Sequence, residues 1–151
     1  MNVKGETILL VEDNPDDAAL ALRSLAKGEV PIEVVVVRDG VEAQDYLFGG
    51  SDPKLEPPGR LPELILLDLK LPRVDGQEVL RCVRSHPRTR LIPVVVLTSS
   101  DERHDLERSY ALGANSYVRK PVDFTQFSHA VHQMSSYWLL LNRCPPLRSI
   151  L

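Results

Sequence analysis

Residues 8–15 read Ile-Leu-Leu-Val-Glu-Asp-Asn-Pro. An unbroken apolar run gives way at once to two acidic residues and then to Pro15, a residue suited to the first turn of a helix. Three further apolar runs follow, at Val34–Val37, Leu64–Leu67 and Val94–Leu97. Because these runs are continuous rather than alternating, they are typical of parallel strands that are covered on both faces.

Helical patterns fill the intervals between these strands. The first helix is predicted from Pro15 to about Lys27. Asp39 and Asp75 stand where they could cap the second and third helices, and Gly113 stands where a left-handed residue would end the fourth. Strands and helices therefore alternate along the chain, which favours an α/β sandwich.

The C-terminal part adds a short fifth strand at Asn115–Val118 and a last helix from Asp123 to about Asn142. Six apolar residues recur in this helix at spacings of three and four, which predicts one long apolar stripe. They are Phe124, Phe127, Val131, Met134, Trp138 and Leu141. The whole pattern predicts a doubly wound (βα)5 fold with a five-stranded parallel sheet and an extended C-terminal helix.

Composition narrows the class of protein. The 151 residues suit a single domain, with a core at about 6–136 and an extension and tail at 137–151. A net charge of −3 argues against a nucleic-acid binder that works through phosphate contacts. Cys82 and Cys144 lack the spacing of a zinc module. Neither a secretory signal nor a membrane span stands out, so we expect a cytoplasmic protein.

Polar residues follow four of the predicted strands. Glu12 and Asp13 follow the first, Asp68 the third, Thr98 the fourth and Lys120 the fifth. In such a sheet, ligands bind outside the carboxyl ends of the strands, so we expect these side chains to converge. Clustered carboxylates repel one another unless a cation such as Mg²⁺, or in its place Mn²⁺, lies between them. A carboxylate beside a metal, a lysine and a threonine is suited to accept a phosphoryl group.

The motifs at these positions resemble those of the receiver domains of bacterial response regulators, which have a flavodoxin-like fold. The resemblance covers about residues 6–136, and its motifs occur in the order of that family. They are Leu9-Leu10-Val11-Glu12-Asp13-Asn14, Asp68-Leu-Lys-Leu-Pro72-Arg-Val-Asp75-Gly76, Val96-Leu97-Thr98-Ser99, Gly113-Ala114 and Tyr117-Val-Arg-Lys120-Pro121.

The resemblance implies a role for each matching residue. Asp68 would be the phosphoacceptor. Asp13 would bind Mg²⁺ directly and Glu12 through water, and the backbone carbonyl of Lys70 would be a further ligand. Lys120 would pair with the phosphoryl oxygens.

The remaining motif residues would respond to the phosphoryl group or support the site. Thr98 would turn its hydroxyl toward the phosphoryl group, and Tyr117 would swing inward with it. Gly76 and Pro121 would be structural residues, and Pro121 resembles the family's cis proline.

The resemblance also implies partners. A sensor histidine kinase would donate the phosphoryl group, and helix 4, strand 5 and helix 5 would form the switched surface. The 49–63 loop, the long last helix and the 142–146 tail are similar to those of regulators paired with bacterial phytochrome kinases, so a phytochrome is one candidate kinase. We expect neither nucleic acid nor membrane as a partner. The apolar last helix favours a homodimer, with an interface at Phe127, Met134, Trp138 and Leu141.

Several alternatives remain open at this point. A haloacid-dehalogenase-like phosphatase also uses an aspartate nucleophile, but it needs an acid where Lys70 stands. A flavodoxin-like cofactor binder would place phosphate on the first loop, where Glu12 and Asp13 would repel it. A chemotaxis-type or phosphorelay regulator, or a constitutive dimeric adaptor, would use the same fold. The 49–63 loop is either a tolerated insertion or a contact for a partner.

Overall fold

A computed structural model describes residues 6–28, 31–49 and 61–145 of the chain. Five parallel strands form one sheet in the order β2-β1-β3-β4-β5. The strands are β1 (Glu6–Val11), β2 (Ile32–Val37), β3 (Leu64–Leu67), β4 (Val94–Thr98) and β5 (Ser116–Arg119). The helices are α1 (Pro15–Ala26), α2 (Gly40–Phe48), α3 (Gly76–Ser85), α4 (Arg103–Ala111) and α5 (Phe124–Ser136). The predicted fold class is confirmed. Most of the 49–63 loop lies outside the described residues.

Side chains of the three central strands alternate between two cores. Leu9, Ile65 and Val96 point into a cluster with residues of α2 and α3, whereas Leu10 and Leu66 point into a cluster with residues of α1 and α5. Every residue of β3 and β4 is buried, which confirms that these apolar runs are covered on both faces. The outer strand β2 is only partly buried along most of its length, because a strand at the edge of a sheet has a neighbour on one side alone.

The predicted helix ends are confirmed at three places. The Asp39 side chain accepts a hydrogen bond from the amide of Glu42 at 2.8 Å, and Asp75 accepts one from Glu78 at 2.9 Å. Gly113, just beyond α4, has a φ of +107°, the left-handed conformation that glycine adopts easily. These caps fix where α2 and α3 begin and where α4 ends.

The last helix differs from the prediction of a single α-helix to about Asn142. Helix α5 ends at Ser136 and continues as a π-helical segment at Tyr137–Leu141. The amide of Asn142 donates to the carbonyl of Tyr137 at 2.7 Å, five residues back. This bond spans one more residue than that of an α-helix, so Leu141 rotates out of the predicted stripe and is exposed.

The apolar stripe is therefore buried only in its middle. Phe127 is 3% exposed and Met134 9%, and both lie in the core formed with α1. The prediction that these two residues form a dimer interface is wrong, because side chains buried in their own domain cannot contact a second copy. Phe124 and Leu141, at the two ends of the stripe, are 75% and 73% exposed, and Trp138 is partly buried against the same core.

The sequence predicts no membrane-spanning helix. Within the part of the chain that the structure describes, no helix combines the length and apolar character that crossing a membrane requires.

Candidate functional site

The acidic residues meet where the strand order reverses, between β1 and β3. Val11 pairs with Leu67 in the sheet, and the amide of Asp68 donates to the carbonyl of Val11 at 3.0 Å. The residues just beyond the two strands are therefore neighbours. One carboxylate oxygen from each of Glu12, Asp13 and Asp68 lies within 4.8 Å of the others.

Lys120 reaches this acidic cluster from the end of β5. Its amide donates to the carbonyl of Thr98 at 2.7 Å, which continues the pairing of β4 with β5 by one residue. Its ammonium lies 2.5 Å from Glu12 Oε1, 3.0 Å from Asp17 Oδ2 and 3.1 Å from Asp68 Oδ2. The Lys120 side chain is only 8% exposed, so the three carboxylates replace the water that would otherwise solvate it.

Burial and the proximity of charged groups shift the pKa values of Glu12 and Lys120. Burial raises the pKa of Glu12 to about 7, and the negative charge of Asp68 adds to this effect while the hydrogen bond from Lys120 opposes it. Burial alone would lower the pKa of Lys120, but the carboxylates of Glu12, Asp68 and Asp17 outweigh it and raise that pKa. The ammonium therefore stays charged throughout the physiological range, whereas Glu12 can exchange a proton near neutral pH.

The acidic residues fit a small divalent cation. Two oxygens on one Mg²⁺ are at most about 4.2 Å apart, since each bond is about 2.1 Å long. Carboxylate oxygens that lie up to 4.8 Å apart therefore fit an ion that two of the carboxylates bind directly and the third binds through water. Asp13 is exposed while Glu12 and Asp68 are buried, so an ion held here would keep a side open to solvent.

The loop after β3 packs closely on the start of α3. The amide of Gly76 donates to the carbonyl of Leu69 at 2.9 Å. A Cβ on residue 76 would overlap the carbonyl oxygen of Asp68, an approach that no real side chain tolerates. The glycine is thus required by the position of the Asp68 backbone. The amide of Lys70 donates to Asp68 Oδ1 at 3.3 Å, which places Lys70 beside the acid. The role of its carbonyl as a metal ligand stays a prediction.

Thr98 and Tyr117 both contact the loop between β4 and α4. The fully buried Thr98 hydroxyl accepts a hydrogen bond from the Ser100 amide at 3.4 Å. The Tyr117 hydroxyl donates to the Ser100 carbonyl at 2.9 Å, and burial raises the pKa of this phenol. The Ser100 hydroxyl in turn donates to Asp105 of α4 at 2.6 Å. Because Thr98, Tyr117 and Asp105 all contact Ser100, a movement of Thr98 would change the contacts of Tyr117 and of the start of α4.

The expected cis bond at Pro121 is not found. All peptide bonds among the described residues are trans, including the one between Lys120 and Pro121. The trans form is the more stable isomer of a bond to proline by about 0.5–1 kcal/mol. With this bond trans, the Lys120 ammonium still reaches Glu12 and Asp68.

The sequence analysis missed Asp17 as a member of the site. Asp16 and Asp17 both lie in the first turn of α1, where acidic residues are common because they favour the positive end of the helix dipole. Only the fold brings Asp17 to Lys120, which is 103 residues away in the sequence. The contact of Ser100 with Asp105 was missed for a similar reason, since the sequence around them is typical of an ordinary loop.

Comparison with known proteins identifies the family of this chain. Residues 8–132 match the response regulator receiver domain. The chain belongs to this family. Receiver domains of this family are components of two-component signalling systems.

Several relatives are similar over nearly their whole length. The probable methanogenesis regulatory protein FilR2 of Methanothrix harundinacea is 43% identical over 142 residues, which are 91% of this chain and 86% of FilR2. Response regulator Rcp1 of Synechocystis is 37% identical over 134 residues, 89% of each chain.

Solved structures of phytochrome response regulators are also similar to the chain. The crystal structure of the phosphorylated cyanobacterial regulator RcpA has a TM-score of 0.88 and 40% identity, and the match covers 95% of this chain and all of RcpA. The structure of the Mn²⁺-bound form of Rcp1 has a TM-score of 0.85 and 35% identity, over 93% of this chain and 99% of Rcp1. The family, with phytochrome regulators among its close members, is thus established from both sequence and structure.

Proposed function

We propose that this receiver is a phosphorylation-controlled switch whose phosphoacceptor is Asp68. The observation that carries the proposal is the meeting of Asp68 with Lys120, 3.1 Å apart, beside the carboxylates of Glu12 and Asp13. A carboxylate oxygen of Asp68 attacks the phosphorus atom of a phosphohistidine on a sensor kinase. The bond between phosphorus and the histidine nitrogen breaks, and the phosphoryl group stays on Asp68.

The neighbouring residues bind and orient the group that is transferred. Glu12, Asp13, Asp68 and the carbonyl of Lys70 would hold a Mg²⁺ ion, which neutralises phosphoryl oxygens when bound. Lys120 donates to a phosphoryl oxygen with its ammonium, and Thr98 donates with its hydroxyl. Because Asp68 and Lys120 are both nearly buried, few waters compete for these contacts.

The hydrogen bonds of Ser100 support a conformational change that extends from the phosphorylation site to the surface of the protein. A Thr98 hydroxyl that turns toward the phosphoryl group gives up its contact with the Ser100 amide. Tyr117 and Asp105 hold the same residue, so the loop and the start of α4 move together. The output of the switch is then a changed protein-binding surface on α4, β5 and α5.

Phosphorylation can be tested on the purified chain with Mg²⁺ and acetyl phosphate as a small phosphodonor. We expect the intact mass to gain one phosphoryl group, and we expect Asp68→Asn or added EDTA to abolish the gain. Asp75→Asn, which changes an exposed helix cap on the same loop, is the matched control and should behave like the wild type.

Failure to take up phosphate and failure to bind beryllofluoride, a phosphoryl mimic, would together refute the proposal and leave a constitutive adaptor. Catalytic turnover of phosphomonoesters would instead support a phosphatase.

The cognate donor is, in our proposal, a phytochrome histidine kinase that acts in the cytoplasm. The support is the similarity to RcpA and Rcp1 across at least 89% of this chain. Autophosphorylated phytochrome and chemotaxis kinases can be mixed separately with the chain. We expect faster transfer from the phytochrome kinase, and equal or slower transfer would favour a chemotaxis-type or phosphorelay regulator.

We further propose that the whole chain acts as one receiver unit and that its C-terminal end forms a homodimer. Tyr137, Leu140 and Leu141 are 48%, 54% and 73% exposed, and they follow one another around the π-helical segment together with Trp138. Such a run of apolar surface is unusual for a solvated helix end.

Light scattering of the wild type, Leu141→Glu and Trp138→Glu tests the dimer. We expect a dimeric wild type and monomeric variants. Leu141→Glu is the cleaner change because Leu141 is more exposed, and Leu106→Glu on α4 is a matched control. A monomeric wild type, or an unchanged mass in both C-terminal variants, would contradict this interface.

A further inference from the structure

Asp17 contacts Lys120 from a helix, whereas Glu12 and Asp68 contact it from the residues just after a strand. Its Oδ2 accepts a hydrogen bond from Nζ of Lys120 at 3.0 Å, and its side chain is 29% exposed. It also lines the open groove between α1 and α5. Its side chain therefore stands between the buried site and the solvent.

The hydrogen bonds of Lys120 leave no donor free. An ammonium group has three N–H donors, and Glu12, Asp17 and Asp68 each lie within hydrogen-bond distance of it. A phosphoryl group on Asp68 needs at least one of these donors. One of the three contacts must then be given up or shared.

Asp17 differs from the other two partners in its relation to the metal. Glu12 and Asp68 belong to the acidic cluster that fits a cation, so a bound ion would compensate their charge when Lys120 turns away. The oxygens of Asp17 are not part of that cluster. Its attraction for the ammonium consequently persists and opposes the movement of Lys120 toward a phosphoryl oxygen.

We propose that Asp17 is a positioning residue that holds Lys120 in the resting state, in competition with the phosphoryl group. This inference rests on the proposed function, in which Lys120 binds the phosphoryl oxygens. Asp17 would thereby limit how tightly the site holds its phosphorylated form. Removal of its charge should strengthen phosphoryl binding rather than weaken it.

The adjacent Asp16 provides a matched control. It lies in the same first turn of α1 and its amide, like that of Asp17, donates to the side chain of Asn14. Asp16→Asn thus removes one negative charge from the same end of the same helix. An effect of charge on the helix dipole or on the overall potential would appear equally in both variants.

The test is a titration of the full chain with beryllofluoride at saturating Mg²⁺, followed by ¹⁹F NMR. We expect Asp17→Asn to bind about fivefold more tightly than Asp16→Asn, the size expected for loss of one partly exposed ion pair. Asp17→Glu, which keeps the carboxylate, should bind like the wild type. If Asp17 had only a structural role, its replacement would weaken the binding of beryllofluoride. A gain of affinity therefore distinguishes the proposed competition for Lys120 from a structural role.

Equal affinities of Asp17→Asn and Asp16→Asn, or weaker binding by Asp17→Asn, would overturn the inference. If Asp17→Asn does not fold, Asp17→Ser permits the same comparison. When the wild type binds beryllofluoride and the variants do not differ, only the role of Asp17 fails. When the wild type itself neither binds beryllofluoride nor takes up phosphate from acetyl phosphate, the proposed function fails with it.

Discussion

Lys120 and Arg84 are two poorly exposed cations at opposite ends of the sheet, and they are held in different ways. Lys120 contacts carboxylates at the carboxyl ends of the strands. Arg84 lies near the amino ends of β4 and β5 and donates to neutral oxygens. It donates to the carbonyls of Gly113 at 2.9 Å and Ile92 at 2.7 Å, and to the side chain of Asn115 at 2.8 Å.

The difference is reflected in the pKa values of the two cations. The carboxylates raise the pKa of Lys120 despite its burial, whereas burial lowers the pKa of Arg84. A compact ammonium can turn from one carboxylate to another oxygen, but a planar guanidinium that joins three chain segments must stay in place. One cation is thus suited to a site that changes state and the other to a fixed support.

The largest expected effect is that of Lys120→Met on phosphorylation. We expect the rate of phosphate uptake from acetyl phosphate to fall by about 100-fold or more, because the variant lacks the buried cation that stabilises the phosphoryl group. Mg²⁺ should bind more tightly, since the ammonium no longer competes for Glu12 and Asp68. Intact mass and calorimetry measure the two quantities.

Lys70→Met, an exposed lysine beside the phosphoacceptor, is the control for that change. A loss of similar size in Lys70→Met, or unchanged phosphorylation of Lys120→Met, would contradict the role of Lys120 in binding the phosphoryl group.

Arg84→Met should act on stability instead. We expect the free energy of unfolding to fall by about 2–3 kcal/mol, because the part-buried carbonyls of Gly113 and Ile92 lose their donor. Arg84→Lys should recover little of this loss, since an ammonium cannot reproduce the planar fork. Urea unfolding measures the effect, and the rate of phosphorylation of the folded protein should be unchanged.

The control for Arg84 is Arg81→Met on the same helix, where the arginine is 54% exposed and pairs with Glu78. This variant should unfold close to the wild type. If Arg84→Met were as stable as Arg81→Met, the proposed support at the amino end of the sheet would be wrong.

A smaller effect concerns pH and Glu12. Because the pKa of Glu12 is raised from 4.5 to about 7, the folded protein holds this proton more firmly than the unfolded chain does. Glu12 therefore contributes most to stability below pH 4.5, and this contribution is lost as the pH rises toward 7. In the metal-free protein, we expect the free energy of unfolding of the wild type to fall by at most about 3 kcal/mol relative to that of Glu12→Gln across this range.

Urea unfolding at several pH values in EDTA measures that loss. Glu33→Gln, an exposed carboxyl on β2, should follow the wild type. A constant difference between wild type and Glu12→Gln at every pH would show that burial does not perturb this acid.

Much of the fold was predictable because each relevant signal is local. The apolar runs gave the strands, Asp39 and Asp75 gave helix starts, and Gly113 gave a helix end. Glu12 and Asp68 could be placed together because residues just after parallel strands share one edge of the sheet.

Contacts across the fold were harder to predict. Asp17 and Arg84 look like ordinary surface residues of amphipathic helices, and only the packing of α1, α3 and the strand ends gives them partners. The spacing of the last apolar residues predicted a regular stripe because the pattern up to Trp138 is fully α-helical. The change to π-helical bonding after Ser136 has no local signal in the sequence.

The π-helical segment also sets the direction in which the exposed apolar side chains at the end of the last helix point. A π-turn contains one more residue than an α-turn, so the loss of one residue from Tyr137–Leu141 would permit α-helical bonding and rotate the side chains of the segment about the helix axis. The segment lies beyond Met134, the last buried residue of the stripe. A change in the length of this segment would therefore turn the exposed apolar surface of Tyr137, Leu140 and Leu141 and leave the sheet and its acidic edge unchanged.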